Sequence, residues 1–88
     1  MADKISLSIV TADGVAFEKK VGYVNIPTSF GTVGILSGHA PMLCAVQKGV
    51  LRCTFGDSKE SISVQVSDGV ANVAENEVTL LVSDAKMI

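Results

Sequence analysis

An all-β fold is predicted: a two-sheet β-sandwich or flattened barrel of about ten short strands. Three observations point to it. Apolar and polar residues alternate in short runs, the mark of half-buried strands. Glycine, proline, asparagine and aspartate punctuate the chain roughly every eight to twelve residues. No segment sustains a helical period. Two sheets packed face to face bury the Ile, Leu and Val sides of such strands and leave Ser, Thr and Gln in water.

The elements follow in order. Ile5, Leu7 and Ile9 share one face of a first strand, with Ser6 and Ser8 on the other. Thr11-Ala-Asp-Gly14 is a turn, with Gly14 free to take positive φ. A short strand at 15–17 follows, and Glu18, Lys19 and Lys20 mark its exposed end. Residues 21–26 form a third strand, stopped by Pro27, which has no N–H for a central ladder. Residues 28–31 make a loop with Phe30 at its tip. Val33, Gly34, Ile35 and Leu36 read as a buried strand pinned between two tight turns. Residues 42–46 are continuously apolar, as in a buried strand or one helical turn. Leu51, Cys53 and Phe55 face inward from the next strand. Residues 56–59 close a hairpin onto Ile62, Val64 and Val66. Asp68-Gly69 is a turn. Strands at 70–73 and 78–82 form a last hairpin around Glu75, Asn76 and Glu77, and the tail at 83–88 is expected to be mobile at its end.

The 88 residues make one small domain, 1–88, with 48% apolar residues and 18% charged ones. That composition is globular. With no tryptophan and only Tyr23, Phe17, Phe30 and Phe55 as aromatics, the core is aliphatic. A net charge of −2 and a single adjacent basic pair, Lys19-Lys20, argue against nucleic acid. No apolar run approaches the roughly 18 residues of a membrane span, and the first residues lack the apolar run of a secretory leader. Cys44 and Cys53 sit among apolar neighbours and read as reduced core residues of a cytosolic protein.

The most constrained stretch, residues 31–41, holds three glycines, the only histidine and one of the two prolines. It invites three chemistries. A catalytic His39 needs a nucleophile or an orienting carboxylate. Ser37 is near in sequence, but Cys44 lies in an apolar run that makes a thiol inert. Gly31, Gly34 and Gly38 do not match a phosphate-cradling spacing. One histidine and turn-scattered acids do not make a metal site. His39 therefore reads as a loop residue or a contact to a partner protein. A carrier domain of the lipoyl or biotinyl kind is the alternative from another class. It needs a lysine at a hairpin tip, and Lys59 is the candidate. A small hydrolase built on His39 is the weaker rival.

Residues 31–43, Gly-Thr-Val-Gly-Ile-Leu-Ser-Gly-His-Ala-Pro-Met-Leu, resemble the signature Gly-x-Leu-Gly-Ile-Leu-Pro-Gly-His-Ala-Pro-Leu-Leu of the epsilon subunits of F-type ATP synthases. Gly-Val-Leu-Arg at 49–52, the segment 67–73 and Asn-Glu-Val-Thr-Leu-Leu at 76–81 resemble further segments of that family in order. Residues 5–11 align with its first strand, and Ala85 falls where the family has an alanine. The resemblance implies the family's N-terminal β-sandwich, a non-catalytic part of the rotating central stalk without cofactor. Its implied partners are the gamma subunit and the membrane c-subunit ring, with the catalytic head engaged indirectly. The implied location is the cytoplasmic side of an energy-coupling membrane, without insertion into it. Carried over by position, Ser29, Phe30, Gly31 and Thr32 meet the ring, and Thr11, His39, Pro41 and Met42 lie toward gamma. Thr32 stands where the family often has an acid, which favours an apolar or backbone contact. Ser37 stands for a proline and Asp68 for a glycine. The family continues into a C-terminal helical hairpin that can inhibit ATP hydrolysis; this sequence stops at Ile88, so hairpin-based inhibition is not expected if the chain is whole, and nothing follows about regulation if it is a piece of a longer one.

Overall fold

A computed structural model describes residues 4–38, 40–55 and 60–88. Ten strands run through them: β1 Ile5–Thr11, β2 Gly14–Val21, β3 Tyr23–Thr28, β4 Gly31–Leu36, β5 Met42–Val46, β6 Gly49–Thr54, β7 Ser61–Val66, β8 Gly69–Ala74, β9 Glu77–Val82 and β10 Ala85–Met87. They form one hydrogen-bonded path, β10-β7-β6-β3-β5-β8-β9-β1-β2, with β4 added beside β3. The path bends where β3 meets β5 through one pair, Thr28 with Val46. Two layers result, β2-β1-β9-β8-β5 and β4-β3-β6-β7-β10. Every pairing is antiparallel except β1 with β9.

The alternation predicted for β1, β6 and β7 is observed, and the strands expected at 70–73 and 78–82 form as β8 and β9. Ile5, Leu7 and Ile9 meet Leu51, Cys53, Val64 and Val66 in a single core, joined by Ala71, Val73, Val78 and Leu80. Phe55 and Ile62 pack against its margin. Burying such side chains stabilises by about 1.5–3 kcal/mol each and drives the two layers together.

Five elements differ from the sequence reading. β2 runs on through Glu18, Lys19 and Lys20 to Val21. It is a border strand, so charges along it reach water, and even Lys19, opposite the buried Leu7, stays exposed. β3 begins at Tyr23 and continues through Pro27. Pro27 pairs with Thr32 on one side; on the other, the neighbour changes from β6 to β5, so no ladder bond needs its N–H. Its carbonyl accepts Gln47 N–H at 3.0 Å. β4 is a border strand with only Ile35 fully buried, and β5 exposes Leu43 and Ala45, so neither is a buried strand throughout. The tail forms β10 on β7. Ser67 anchors it: its hydroxyl accepts Asp84 N–H at 2.8 Å, and its N–H donates to Asp84 C=O at 3.0 Å. Asn76 is the one non-glycine residue at positive φ among those described, so Asp68 sits comfortably where a glycine was expected.

Candidate docking surfaces

Two hairpins share one local chemistry that the sequence states twice, as Thr11-Ala-Asp-Gly14 and Thr28-Ser-Phe-Gly31. In each, the threonine hydroxyl accepts an N–H two residues on. Asp13 N–H reaches Thr11 Oγ1, and Phe30 N–H reaches Thr28 Oγ1, both at 3.2 Å. Each hydroxyl then donates to the glycine carbonyl, Thr11 to Gly14 at 3.4 Å and Thr28 to Gly31 at 2.5 Å. The glycines take φ of 114° and 110°, a region closed to most side chains. This Thr-x-x-Gly pattern was legible in the sequence as a repeated spacing, and it fixes both tips.

The tip at Ser29 and Phe30 is fully presented. Phe30 is 100% exposed, and Ser29, Gly31 and Thr32 are exposed beside it. The structure therefore brings these four candidates together. A cleft of about 310 Å³ lies under the tip, lined by Thr28, Ser29, Phe30, Val33, Leu43, Cys44 and Ala45. None of its lining residues is charged.

The second candidate group is not brought together. Thr11 ends β1 beside its turn. Met42 opens β5 opposite Val73, whose β9 partner Val78 pairs with Leu7. Thr11 thus lies four register positions away, about 13 Å along the strands. Met42 turns inward against the core, while Pro41 is exposed. His39, and with it the hydrolase reading, lies outside the described residues, as do residues 56–59 and the carrier candidate Lys59.

Strand pairing creates a feature no single segment reveals. Ala45 lies opposite Val70, Val70 opposite Leu81, Leu81 opposite Val10, and Val10 opposite Val15. Directly paired residues share a face, and these five point away from the core. They form an apolar row across β5, β8, β9, β1 and β2, with Val15 62% and Leu81 55% exposed. The next row, Leu43, Asn72, Thr79, Ser8 and Glu18, is polar apart from Leu43, which is 71% exposed. Ser8 Oγ and Glu18 Oε2 lie 3.4 Å apart within it. Ala45 joins the apolar row to the cleft under Phe30. A contiguous exposed apolar surface with a polar margin is the physical form of a protein-docking site.

Reactive groups are sparse. No cluster of three or more His, Cys, Asp or Glu suited to a metal occurs among the described residues. Both cysteines are free. Burial pushes the Cys44 thiol up, and it does the same to Cys53, against a smaller opposing effect of a backbone hydrogen bond at Ile62. Neither is a ready thiolate. No helix among the described residues is long and apolar enough to cross a membrane.

Residues 4–88 match the family model described as "ATP synthase, Delta/Epsilon chain, beta-sandwich domain". An ATP synthase epsilon chain of Microcystis aeruginosa is 39% identical over 94% of this chain and 59% of its own length. One from Magnetococcus marinus is 38% identical over 97% of this chain and 61% of its own length. The chloroplastic epsilon chain of Atropa belladonna is 34% identical over 93% and 60%. The chain thus spans about three-fifths of the length of these relatives. Among solved structures, a chain of the Euglena gracilis mitochondrial ATP synthase (OSCP/F1/c-ring) superimposes with a TM-score of 0.87 at 22% identity, over 96% of this chain and 53% of that one. A chain of the Tetrahymena thermophila mitochondrial ATP synthase central stalk and c-ring gives 0.76 at 16% identity, over 96% and 66%. These two likenesses establish the fold.

Proposed function

The chain belongs to the family of ATP synthase delta and epsilon chains, as their β-sandwich domain, and on that premise we propose that it works as a non-catalytic rotor part of an F-type ATP synthase. Its outer β5-β8-β9-β1-β2 face docks on the gamma subunit. The hairpin tip at Ser29, Phe30, Gly31 and Thr32 meets the loops of the c-subunit ring. The exposed Pro41 and the Thr11 turn flank the gamma-facing side, with His39 assigned there by sequence position. The assembly sits peripherally on the cytoplasmic side of an energy-coupling membrane. Torque then passes through a rigid sandwich, and no step of ATP chemistry falls on this chain.

The apolar row Ala45, Val70, Leu81, Val10 and Val15 is the observation that carries this reading. Left in water, such a row is a liability; covered, it supplies binding. The uncharged tip supports the ring contact, because Thr32 and Phe30 offer hydroxyl, backbone and apolar surface in place of an ion pair. The test is co-expression with gamma followed by affinity co-purification. Leu81→Glu places a charge at the middle of the row, and it is expected to weaken the complex at least tenfold. Because Leu81 is half exposed, the urea midpoint of the free chain should stay close to the parent's. Full binding by Leu81→Glu, or no complex with the parent chain, overturns the proposal.

A further inference from the structure

Among the described residues, three strands border the sheet with a neighbour on one side only: β2, β10 and β4. Unpaired N–H and C=O groups along such a border template another strand unless something guards them. β2 is guarded by Glu18, Lys19 and Lys20, and β10 is three residues long with Lys86 at its centre. β4, Gly-Thr-Val-Gly-Ile-Leu, has neither charge nor proline.

Its free groups can be assigned. The β3–β4 ladder closes on Thr28 with Gly31 across a two-residue tip. By alternation, Gly31, Val33 and Ile35 bond to β3, and Thr32, Gly34 and Leu36 direct N–H and C=O outward. The exposed apolar side chains Phe30 and Leu36, the latter 60% exposed, stand at the two ends of this border.

The strand is complementary to itself. An antiparallel copy related by a two-fold axis at Val33 sets Thr32 against the partner's Gly34, so that outward groups meet outward groups. The same operation sets Phe30 against the partner's Leu36, and Leu36 against the partner's Phe30. We propose that the free chain pairs β4 to β4 with a second copy, giving a weak, concentration-dependent dimer that joins two β4-β3-β6-β7-β10 layers into one sheet. A contact built on one short strand is small beside a stable interface of about 1,600 Å² in total, so the dimer is transient. If the ring contact proposed above holds, pairing covers Phe30 and Thr32, and a copy cannot be dimeric and ring-bound together.

Sedimentation equilibrium of the purified chain between about 10 μM and 1 mM tests the pairing without any other subunit. The expected result is a rise from monomer toward dimer mass, with slowed exchange of the Thr32, Gly34 and Leu36 amides as concentration increases. Thr32→Pro removes an outward N–H that β3 does not use, and it should weaken the dimer at least tenfold. Phe30→Asp alters a side chain with no packing role and should do the same with the thermal midpoint unchanged; it decides the matter if Thr32→Pro fails to fold. A monomer throughout overturns the proposal. So does a dimer that Leu81→Glu abolishes and Phe30→Asp leaves intact, because the apolar row is then the contact. A monomer throughout leaves the gamma reading untouched, and co-purification with gamma tests that reading separately.

Discussion

Asn76 shows how much one side chain can hold. Its φ of 54° turns the β8–β9 hairpin. Its Oδ1 accepts the Ser37 hydroxyl at 3.0 Å and Gly38 N–H at 3.1 Å, tying the end of β4 to a hairpin remote in sequence. Alanine here meets left-handed strain of about 1–2 kcal/mol and loses two bonds worth about 0.5–1.5 kcal/mol each. Glycine relieves the strain alone. Urea unfolding should therefore rank the parent above Asn76→Gly, and Asn76→Gly above Asn76→Ala, with a total loss of about 2–5 kcal/mol for alanine. Equal midpoints for the two variants would show that the backbone conformation contributes nothing.

At the scale of elements, Gly69 is the tightest junction. A Cβ there would lie 2.1 Å from the Leu81 carbonyl oxygen and 2.8 Å from Val82 Cα, both backbone atoms of the neighbouring strand. Gly69→Ala must part β8 from β9 at the register pair Gly69–Val82. The expected loss is about 2–4 kcal/mol, above the usual effect of a single substitution, read as a lower thermal midpoint. A midpoint within a degree or two of the parent's would contradict that close approach. The strands were legible wherever one face is buried and the other wet, as in Ile5-Ser-Leu-Ser-Ile and Ser-Ile-Ser-Val-Gln-Val. They were not legible where position in the sheet overrides composition. The charges of β2 suggested a strand end, because a sequence does not say which strand is a border. Pro27 suggested a stop, because the change of neighbour beside it depends on β5 and β6. The tip at Phe30 was legible from Thr-Ser-Phe-Gly. The apolar row was not: Ala45, Val70, Leu81, Val10 and Val15 each sit as an ordinary outward residue until pairing aligns them.

For the whole molecule, the buried Cys53 thiol links stability to pH. Burial, the larger effect at Cys53, keeps its thiol protonated in the fold, whereas in the unfolded chain it ionises near its usual pKa of about 8.5. The folded state then holds the proton more tightly. The contribution to stability is complete below that pH and is lost as pH rises through and beyond it. The urea midpoint should fall between pH about 7 and about 9.5, under reducing conditions. The fall should be smaller in Cys53→Ala, whatever its absolute stability. An identical fall in both chains would assign the effect to other groups.

The parallel pairing of β1 with β9 also sets the order in which this molecule can form. Ser6 meets Glu77 and Val10 meets Leu81, so the first strand finds its inner neighbour only in the ninth. Until β9 exists, the β1–β2 hairpin has no inner neighbour in the sheet, and Ile5, Leu7 and Ile9 lack Val78 and Leu80 beside them in the core. A chain emerging from the ribosome therefore cannot close its core step by step. The core is complete only once β8 and β9 are present, and folds dominated by such distant contacts form slowly.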